Sequence, residues 1–174
     1  MVLYQQADPA APAALVSLLS PALLRFFRYN AASREQAEDL LQETWLKIHR
    51  MRHTYRPGER VLPWVYAIAH HVRIDSFRKT RRIAAHETAI DPLPDPAGPN
   101  SAQETIHFES LVGTLPQAQR EIITMLKSTG MTVEEVARAT SSTVGAVKLK
   151  AHRAYERLRE LLEAPVRTRK EGAR

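Results

Sequence analysis

The side chains of this sequence that could do chemistry are concentrated between Leu62 and Arg82, where flat rings precede a cluster of cations. Apolar residues recur there at helical spacing, and Tyr66 and His71 fall off that apolar stripe. The segment is therefore predicted to be an amphipathic helix with exposed rings. Its end carries the cations Arg78, Lys79, Arg81 and Arg82. Rings stack on unpaired bases and cations bind phosphates, so the pattern indicates a site for a nucleic-acid strand; a core helix with a solvated basic end is the alternative.

Few residues suit catalysis. The chain has no Cys, which excludes disulfides, thiolate zinc sites and cysteine nucleophiles. It has neither a Gly-rich phosphate loop nor an HExxH motif, and the only His pair at metal-binding helical spacing is His49 with His53. Two ligands without a third are too few for a metal centre. We therefore expect a protein that is not an enzyme, with no metal and no cofactor.

Composition and charge favour a globular protein with an anionic partner. The 174 residues are 44% hydrophobic, enough for one domain or two small ones, and the formal net charge is +6. No Lys or Arg occurs between Ile83 and Gln119, so an acidic middle separates two basic ends.

The N-terminal part is expected to be loose from Met1 to Ala11 and then helical. Pro21 and Arg25 interrupt its apolar run, which allows one bent helix or two short ones and leaves the run too short to span a membrane. No basic start precedes that run, so neither a signal peptide nor membrane insertion is expected. The absence of Cys fits a cytoplasmic location.

A second helix is predicted from a capping box, Ser33 with Gln36, to about His53. Its outer face should carry an acidic and polar stripe at positions i, i+3, i+4 and i+7, formed by Asp39, Gln42, Glu43 and Leu46. Ordinary solvated helix surface is the alternative interpretation of this stripe.

These motifs together resemble region 2 of the extracytoplasmic-function sigma factors, the short class of the bacterial sigma-70 family. The matching parts are DLLQETWL from Asp39, the Pro57-Gly58 turn, WVYAIA from Trp64, Asp75 and the arginine-rich end. The resemblance implies that Asp39, Gln42, Glu43 and Leu46 dock on the β′ clamp of core RNA polymerase. It also implies that the next helix opens and holds minus-10 promoter DNA, through Arg60, Trp64, Tyr66, His70, His71, Arg73, Arg78, Lys79, Arg81 and Arg82. Two departures are Val61, where an aromatic residue is usual, and Pro63 before Trp64.

A Pro-rich acidic stretch from Ala89 to Ser101 is typical of an extended linker between two domains. Beyond it, Ser101 and Glu104 form a capping box for a helix that ends at Gly113, and Pro116 and Gly130 are expected to bound the next helix.

The last part of the chain has helix-turn-helix spacing. Thr132 and Glu135 form a third capping box, and a TSST turn then leads to Val144. The final helix should bury Val144, Val147, Ala151, Tyr155, Leu158 and Leu162. Lys148, Leu149, His152 and Arg153 would then read bases, while Lys150 and Arg157 lie nearer the phosphates. A small helical bundle with a basic surface is the alternative.

This part resembles sigma region 4, particularly in VGAVKLKAHRA. The resemblance implies binding to duplex minus-35 DNA through Thr143, Lys148, Leu149, Lys150, His152, Arg153 and Arg157, and contact with the polymerase β flap. Ser141 and Thr140 depart from the usual glycine and apolar residue of the turn.

The sequence therefore predicts an all-α protein of two small helical domains joined by a flexible acidic Pro-rich linker. The predicted boundaries are 1–88 for the first domain, 89–101 for the linker, 102–165 for the helix-turn-helix domain and 166–174 for a basic tail. The implied function is promoter recognition, DNA melting and transcription initiation as an extracytoplasmic-function sigma factor, controlled by an anti-sigma factor. A free-standing helix-turn-helix regulator that dimerises through its first domain is the competing hypothesis.

Overall fold

The structure is a computed structural model that describes residues 1–87 and 108–163, and all regular structure in these ranges is helical. The helices are α1 (Val2–Gln5), α2 (Ala11–Asn30), α3 (Arg34–Met51), a 3₁₀ turn (Arg52–Thr54), α4 (Val61–Glu87), α5 (Phe108–Gly113), α6 (Gln117–Thr129), α7 (Val133–Ala139) and α8 (Val144–Glu163). The predicted all-α class with two helical domains is confirmed. The linker, the Ser101–Glu104 capping box, the basic tail and the predicted domain boundaries lie outside the described residues.

Helix α2 is one 20-residue helix that runs through Pro21. Leu23, Phe26 and Phe27 are fully buried, and α2 packs against α3 and α4. This burial offsets the hydrogen bond that Pro21 cannot make. The prediction that the apolar run stops well short of membrane length is wrong, because α2 could span a bilayer by length and composition. Its most deeply buried side chains lie in the core of the first domain, as in the core helix of a globular protein.

The N-terminal residues are ordered, which corrects the prediction of a loose segment. Tyr4 is 9% exposed, and its hydroxyl is hydrogen bonded to His49 Nδ1 at 2.7 Å. Gln5 Nε2 donates to the carbonyl oxygens of Arg52 and Tyr55 at 2.7 and 2.8 Å. Carbonyls that follow the end of a helix need donors, and Gln5 supplies them. Helix α1 is thus tied to the end of α3.

Helix α3 begins at the predicted N-cap residue Ser33, but only the Ser33 half of the predicted capping box forms. An ion pair joins α3 to α4. The backbone N–H of Gln36 donates to Ser33 Oγ at 3.1 Å, and Gln36 Oε1 accepts from the N–H of Ala32 at 2.6 Å. Lys47 Nζ donates to Asp75 Oδ2 of α4 at 2.9 Å. The hydrogen bond from Lys47 lowers the pKa of Asp75.

Helix α4 starts one residue before the predicted position and accommodates Pro63 in its first turn. Proline is tolerated there because the first backbone N–H groups of a helix have no intrahelical acceptor. The helix then continues five residues past Arg82 to Glu87.

The second domain contains the predicted helix-turn-helix, formed by α7 and α8. Helix α6 ends at Thr129 and is followed by Gly130, whose φ of 63° is left-handed. Thr132 Oγ1 accepts from the N–H of Glu135 at 3.2 Å, and Glu135 Oε2 accepts from the N–H of Thr132 at 2.8 Å, so this capping box is confirmed. Ser141 in the turn has a φ of 50°, which explains why glycine suits this position.

The buried face of α8 differs from the prediction. Val147, Ala151, Ala154 and Leu158 are buried, at spacings i, i+4, i+7 and i+11. Val144, Tyr155 and Leu162 are 36%, 39% and 64% exposed, so placing them in the core was wrong. A helix packed on one side buries a narrow stripe, and the small Ala154 takes the place expected for Tyr155. The Tyr155 ring instead lies 5.6 Å from Lys127 Nζ.

The two domains are in contact, with α2 against α6 and α4 against α7. Arg120 of α6 is 4% exposed and donates through Nη1 to the carbonyl oxygen of Tyr29 at 2.8 Å. Its Nη2 donates to the carbonyls of Gly113 and Leu115 at 2.9 and 2.8 Å. The Arg120 cation stabilises the C-terminus of α2, because it donates a hydrogen bond there and interacts favourably with the negative end of the helix dipole. We call this domain contact the closed arrangement.

Candidate nucleic-acid interface

The acidic stripe of α3 is exposed along its whole length. Asp39, Gln42 and Glu43 are exposed, and Leu46 is 53% exposed. Within the described parts of the chain, the ion pairs of α3 involve Glu38 and Lys47 instead. The stripe therefore offers two carboxylates and an exposed leucine to a partner with cations around an apolar contact.

One face of α4 carries rings and cations in a line. Trp64, His71 and Arg78 are seven residues apart, about two helical turns, so they span about 21 Å on one side of the helix, and Arg82 follows one turn later. His71 is exposed, and its Nδ1–H donates to the carbonyl of Ala67 at 2.7 Å. Trp64 is half-buried, with Nε1 donating to Thr54 Oγ1 at 3.2 Å. We call Trp64, His71, Arg78 and Arg82 the outer stripe.

An adjacent face of α4 carries a second line of residues, the inner stripe, formed by His70, Arg73, Phe77 and Arg81. Phe77 is 53% exposed and lies with Ile74, Arg78, Arg81 and Arg82 around an open cavity of about 450 Å³. The sequence analysis did not single out Phe77. The available signal was its position seven residues after His70, on a face that otherwise ends in cations. An exposed ring among three arginines suits a stacked base with phosphates on either side.

The inner stripe begins with two residues that contact the second domain. Glu121 Oε1 lies 2.6 Å from His70 Nδ1 and accepts from Arg73 Nε at 3.1 Å, and Oε2 accepts from Arg73 Nη2 at 2.9 Å. Burial raises the pKa of Glu121, but the hydrogen bond from His70 and the charge of Arg73 outweigh it, and the pKa lies below its usual value. Glu121 is therefore an ionised buried carboxylate, which the sequence analysis did not single out.

Tyr66 is buried rather than exposed, so its predicted exposed ring is wrong. It is 1% exposed, and its ring meets Phe26 of α2 edge-on at 5.3 Å and 76°. Burial raises the pKa of Tyr66 to about 12. The helical pattern showed one apolar stripe, whereas α2 covers a further face of α4 that includes this ring. Within the described residues its hydroxyl has no hydrogen-bond partner.

Replacing Tyr66 should affect stability and not nucleic-acid binding. Tyr66→Ala is expected to lower the free energy of unfolding by about 3–5 kcal/mol, because a large buried ring is removed. Tyr66→Phe is the matched control and should cost nothing or add up to about 1 kcal/mol, since the lost hydroxyl has no partner. Urea unfolding of both variants measures this. Impaired promoter opening by a fully stable Tyr66→Phe variant would instead give the hydroxyl a role on DNA.

The start of α8 presents most of its predicted site residues to solvent. Thr143, Lys148, Leu149, His152, Arg153 and Arg157 are exposed, and Thr143 Oγ1 accepts from the N–H of Ala146 at 3.1 Å. Lys150 is half-buried and lines a cleft of about 250 Å³ that also contains His70, Arg73 and Glu121. The outward face can therefore meet a groove of duplex DNA, while Lys150 points to the first domain.

Arg60 and Lys79 complete the predicted set. Lys79 is exposed beside the cations at the end of α4. Arg60 Nη1 donates to Glu135 Oε2 at 2.7 Å, so Arg60 is held against the second domain. Within the described ranges, no group of three or more His, Asp or Glu side chains could hold a metal ion.

Comparison with known proteins identifies both domains. Residues 15–83 match the family Sigma-70 region 2, and residues 107–158 match Sigma-70, region 4. RNA polymerase sigma factor CarQ of Myxococcus xanthus is 36% identical over 129 residues, which cover 72% of this chain and 74% of that protein. ECF RNA polymerase sigma factor SigF of Caulobacter vibrioides is 32% identical over 157 residues, which cover 88% and 86%.

Solved structures share the fold. The sigma factor RpoE from Bartonella quintana, crystallised with the anti-sigma factor NepR, superposes with a TM-score of 0.77 at 23% identity, over 90% of this chain and 99% of that one. CnrH, in complex with the cytosolic domain of CnrY, gives 0.66 at 22% identity, over 94% and 97%. The family matches and the relatives agree with the resemblance read from the motifs. The chain belongs to the extracytoplasmic-function (ECF) subfamily of the sigma-70 RNA polymerase sigma factors.

Proposed function

We propose that this ECF sigma factor directs core RNA polymerase to its promoters through three surfaces. The acidic stripe of α3 binds the β′ clamp, α4 holds melted minus-10 DNA, and the outward face of α8 reads duplex minus-35 DNA. The observation that carries the proposal is the outer stripe of α4, where Trp64 and His71 are followed on the same face by Arg78 and Arg82. The protein would act without catalysis of its own, in the cytoplasm where the polymerase acts.

The outer stripe supports single-strand binding in particular. Rings gain most from bases that have been unstacked, whereas cations bind the phosphates of single and double strands alike. A helix with rings at one end and arginines at the other can therefore favour the melted strand and still hold the neighbouring duplex. Phe77 adds an exposed ring among the arginines of the same helix.

The α8 surface supports duplex reading. A recognition helix places residues of its first turns against base edges in the major groove. Lys148, His152 and Arg153 are exposed on these turns, and Leu149, 49% exposed, can contact a thymine methyl group. Thr143 Oγ1 accepts the capping hydrogen bond at the start of α8, and its O–H can still donate to a phosphate oxygen.

Control by a separate anti-sigma factor is part of the proposal. The solved structure of the sigma factor RpoE contains the anti-sigma factor NepR, and CnrH was solved in complex with the cytosolic domain of CnrY. In this chain, exposed apolar side chains such as Leu46 and Phe77 lie next to surfaces assigned to polymerase and DNA. A protein that covered these side chains would block polymerase binding and DNA binding at once. Purification of the tagged chain from unstressed cells should recover such a partner; recovery of active protein with nothing bound would contradict this part.

Transcription with purified components tests the function. The chain is mixed with core polymerase and sheared DNA of its own genome, and the 5′ ends of the transcripts are sequenced. New start sites with shared minus-35 and minus-10 elements are expected, and core polymerase alone is the control. A chain that bound duplex DNA but neither bound core polymerase nor redirected it would instead be a free-standing regulator.

Arg153 and Lys150 should differ in how they contribute to promoter binding. Arg153→Ala is expected to reduce the discrimination between promoter and mutated minus-35 duplexes by about 1–3 kcal/mol, because an arginine on a base edge is lost. Lys150→Ala should change the affinity for both duplexes equally, since a lysine on the flank of α8 would contact phosphates, which carry no sequence information. Fluorescence anisotropy on the two duplexes measures both effects. Equal losses on both duplexes for Arg153→Ala would reassign Arg153 to the DNA backbone.

A further inference from the structure

The contact between the domains depends on polar and charged groups that are almost entirely buried. The side chain of Glu121 is 5% exposed, and those of His70 and Arg73 are 10% and 11% exposed. Removing one member of such a group leaves an uncompensated buried charge, which is strongly unfavourable. Separating the domains therefore requires Glu121, His70 and Arg73 to be rehydrated together or to find new partners.

The natural new partner is a nucleic-acid phosphate. The fork of Arg73 donates two hydrogen bonds to the two oxygens of Glu121, and an arginine fork binds phosphate oxygens with the same geometry. His70 and Arg73 are also the first members of the inner stripe, which continues to Phe77 and Arg81. A strand that followed this stripe would reach Arg73 at the place where the carboxylate now lies.

Other predicted DNA-binding residues also face the opposite domain. Arg60 at the start of α4 is paired with Glu135 of α7, and Lys150 of α8 lines the cleft that contains Glu121. The closed arrangement thus engages part of both surfaces that the proposed function assigns to DNA.

Promoter geometry requires the closed arrangement to open. The minus-35 and minus-10 elements are named for their positions, which lie roughly 25 base pairs apart. This separation is roughly 85 Å along straight B-DNA at about 3.4 Å per base pair. Two domains joined by side-chain contacts of 2.6 to 2.9 Å cannot lie on both elements together. The contacts of Glu121 therefore belong to a state other than the promoter-bound one.

We propose that Glu121 is an internal substitute for a DNA phosphate, which holds His70 and Arg73 in the free chain and keeps its two domains closed. Nucleic acid binds when a phosphate replaces this carboxylate. The inference rests on the proposed function, because the assignment of α4 to DNA is what makes the contact inhibitory. The apparent affinity of the free chain is then reduced by the fraction of molecules that are closed.

Glu121→Gln tests the proposal in the full-length chain. It removes the charge and keeps the size of the side chain. Glu160→Gln is the matched control, because it changes the net charge equally at an exposed position of α8. The probe is a fluorescein-labelled single-stranded DNA of mixed sequence. The distance between the domains is measured with spin labels on Arg50→Cys and Arg159→Cys, at exposed positions in a chain that has no native Cys.

Glu121→Gln should lengthen or broaden the distance distribution and tighten binding of the single strand by roughly fivefold or more, the lower end of ordinary coupling between sites. Glu160→Gln should change neither. The proposal is overturned if folded Glu121→Gln keeps the wild-type distances and affinity, if the distances change without the affinity, or if both variants gain affinity equally.

A second measurement uses the labelled chain that retains Glu121, so the proposal can be tested even if Glu121→Gln does not fold. Saturating single-stranded DNA should lengthen the distance between the two labels, and a bound chain that stayed closed would contradict the proposal. Binding of the same chain to core polymerase is measured in parallel. Normal polymerase binding and transcription with no effect of Glu121 would overturn only this inference, whereas failure to bind polymerase would overturn the proposed function itself.

Discussion

Reversing two charges on α3, Asp39→Lys with Glu43→Lys, should abolish transcription while leaving the fold intact. Both side chains are exposed, and the buried face of α3 is made of other residues, among them Leu40 and Ile48. The partner surface must be cationic to fit two carboxylates, so two lysines convert attraction into repulsion, which costs several kcal/mol at an interface. Affinity for core polymerase and yield of run-off transcript measure the effect.

The control reverses two exposed carboxylates elsewhere, Glu160→Lys with Glu163→Lys, near the end of α8. The net charge changes by the same amount, and cations are well tolerated at a helix C-terminus. This variant should bind polymerase normally. Unchanged polymerase affinity after reversal of Asp39 and Glu43 would remove the α3 stripe from the proposed interface.

Local signals in the sequence predicted the elements well because they depend on short-range chemistry. Capping residues act on backbone groups only a few residues away. Ser33 and Thr132 therefore mark helix starts, and Gly130 marks a helix end, without knowledge of the rest of the chain. The α3 stripe was predictable for the same reason, since its exposure follows from helical spacing and from the apolar residues opposite.

The errors arose where a third element decides which face is buried. Tyr66 and His71 both lie off the main apolar stripe of α4, yet α2 covers the first and leaves the second in solvent. In α8, whether Ala154 or Tyr155 is buried depends on how closely α6 packs against the helix. A single helical periodicity cannot supply this information, because it describes one helix and not its neighbours.

The contact between the domains was the least predictable feature. Arg120 and Glu121 occur in an ordinary amphipathic helix and would be expected on its surface, as charged residues usually are. They are buried because each meets a specific partner from a distant part of the chain, the carbonyl of Tyr29 for one and the His70–Arg73 pair for the other. Pairing at such separations leaves no local pattern in a sequence.

Removing the positive charges at the end of α4 should have the second large effect, and it should differ from the removal of a ring. Arg78→Gln, Arg81→Gln and Arg82→Gln together are expected to weaken binding to duplex and premelted promoters alike. Each phosphate contact contributes about 0.9 to the logarithmic salt dependence on duplex DNA and about 0.7 on single strands. If all three arginines contact phosphates, the slope should therefore fall by about 2–3.

The contrasting variant is His71→Ala, which removes an exposed ring of the outer stripe and retains the arginines. One stacked base contributes about 1–3 kcal/mol, and that contribution exists only after the strand has been opened. His71→Ala should therefore impair opening of a duplex promoter, and a template with a premelted minus-10 bubble should partly restore transcription. Permanganate reactivity of the bubble and salt titrations on both templates separate the two variants. If His71→Ala opened the duplex as readily as the wild type, the stacking role would pass to Phe77, the exposed ring on the neighbouring face of the same helix.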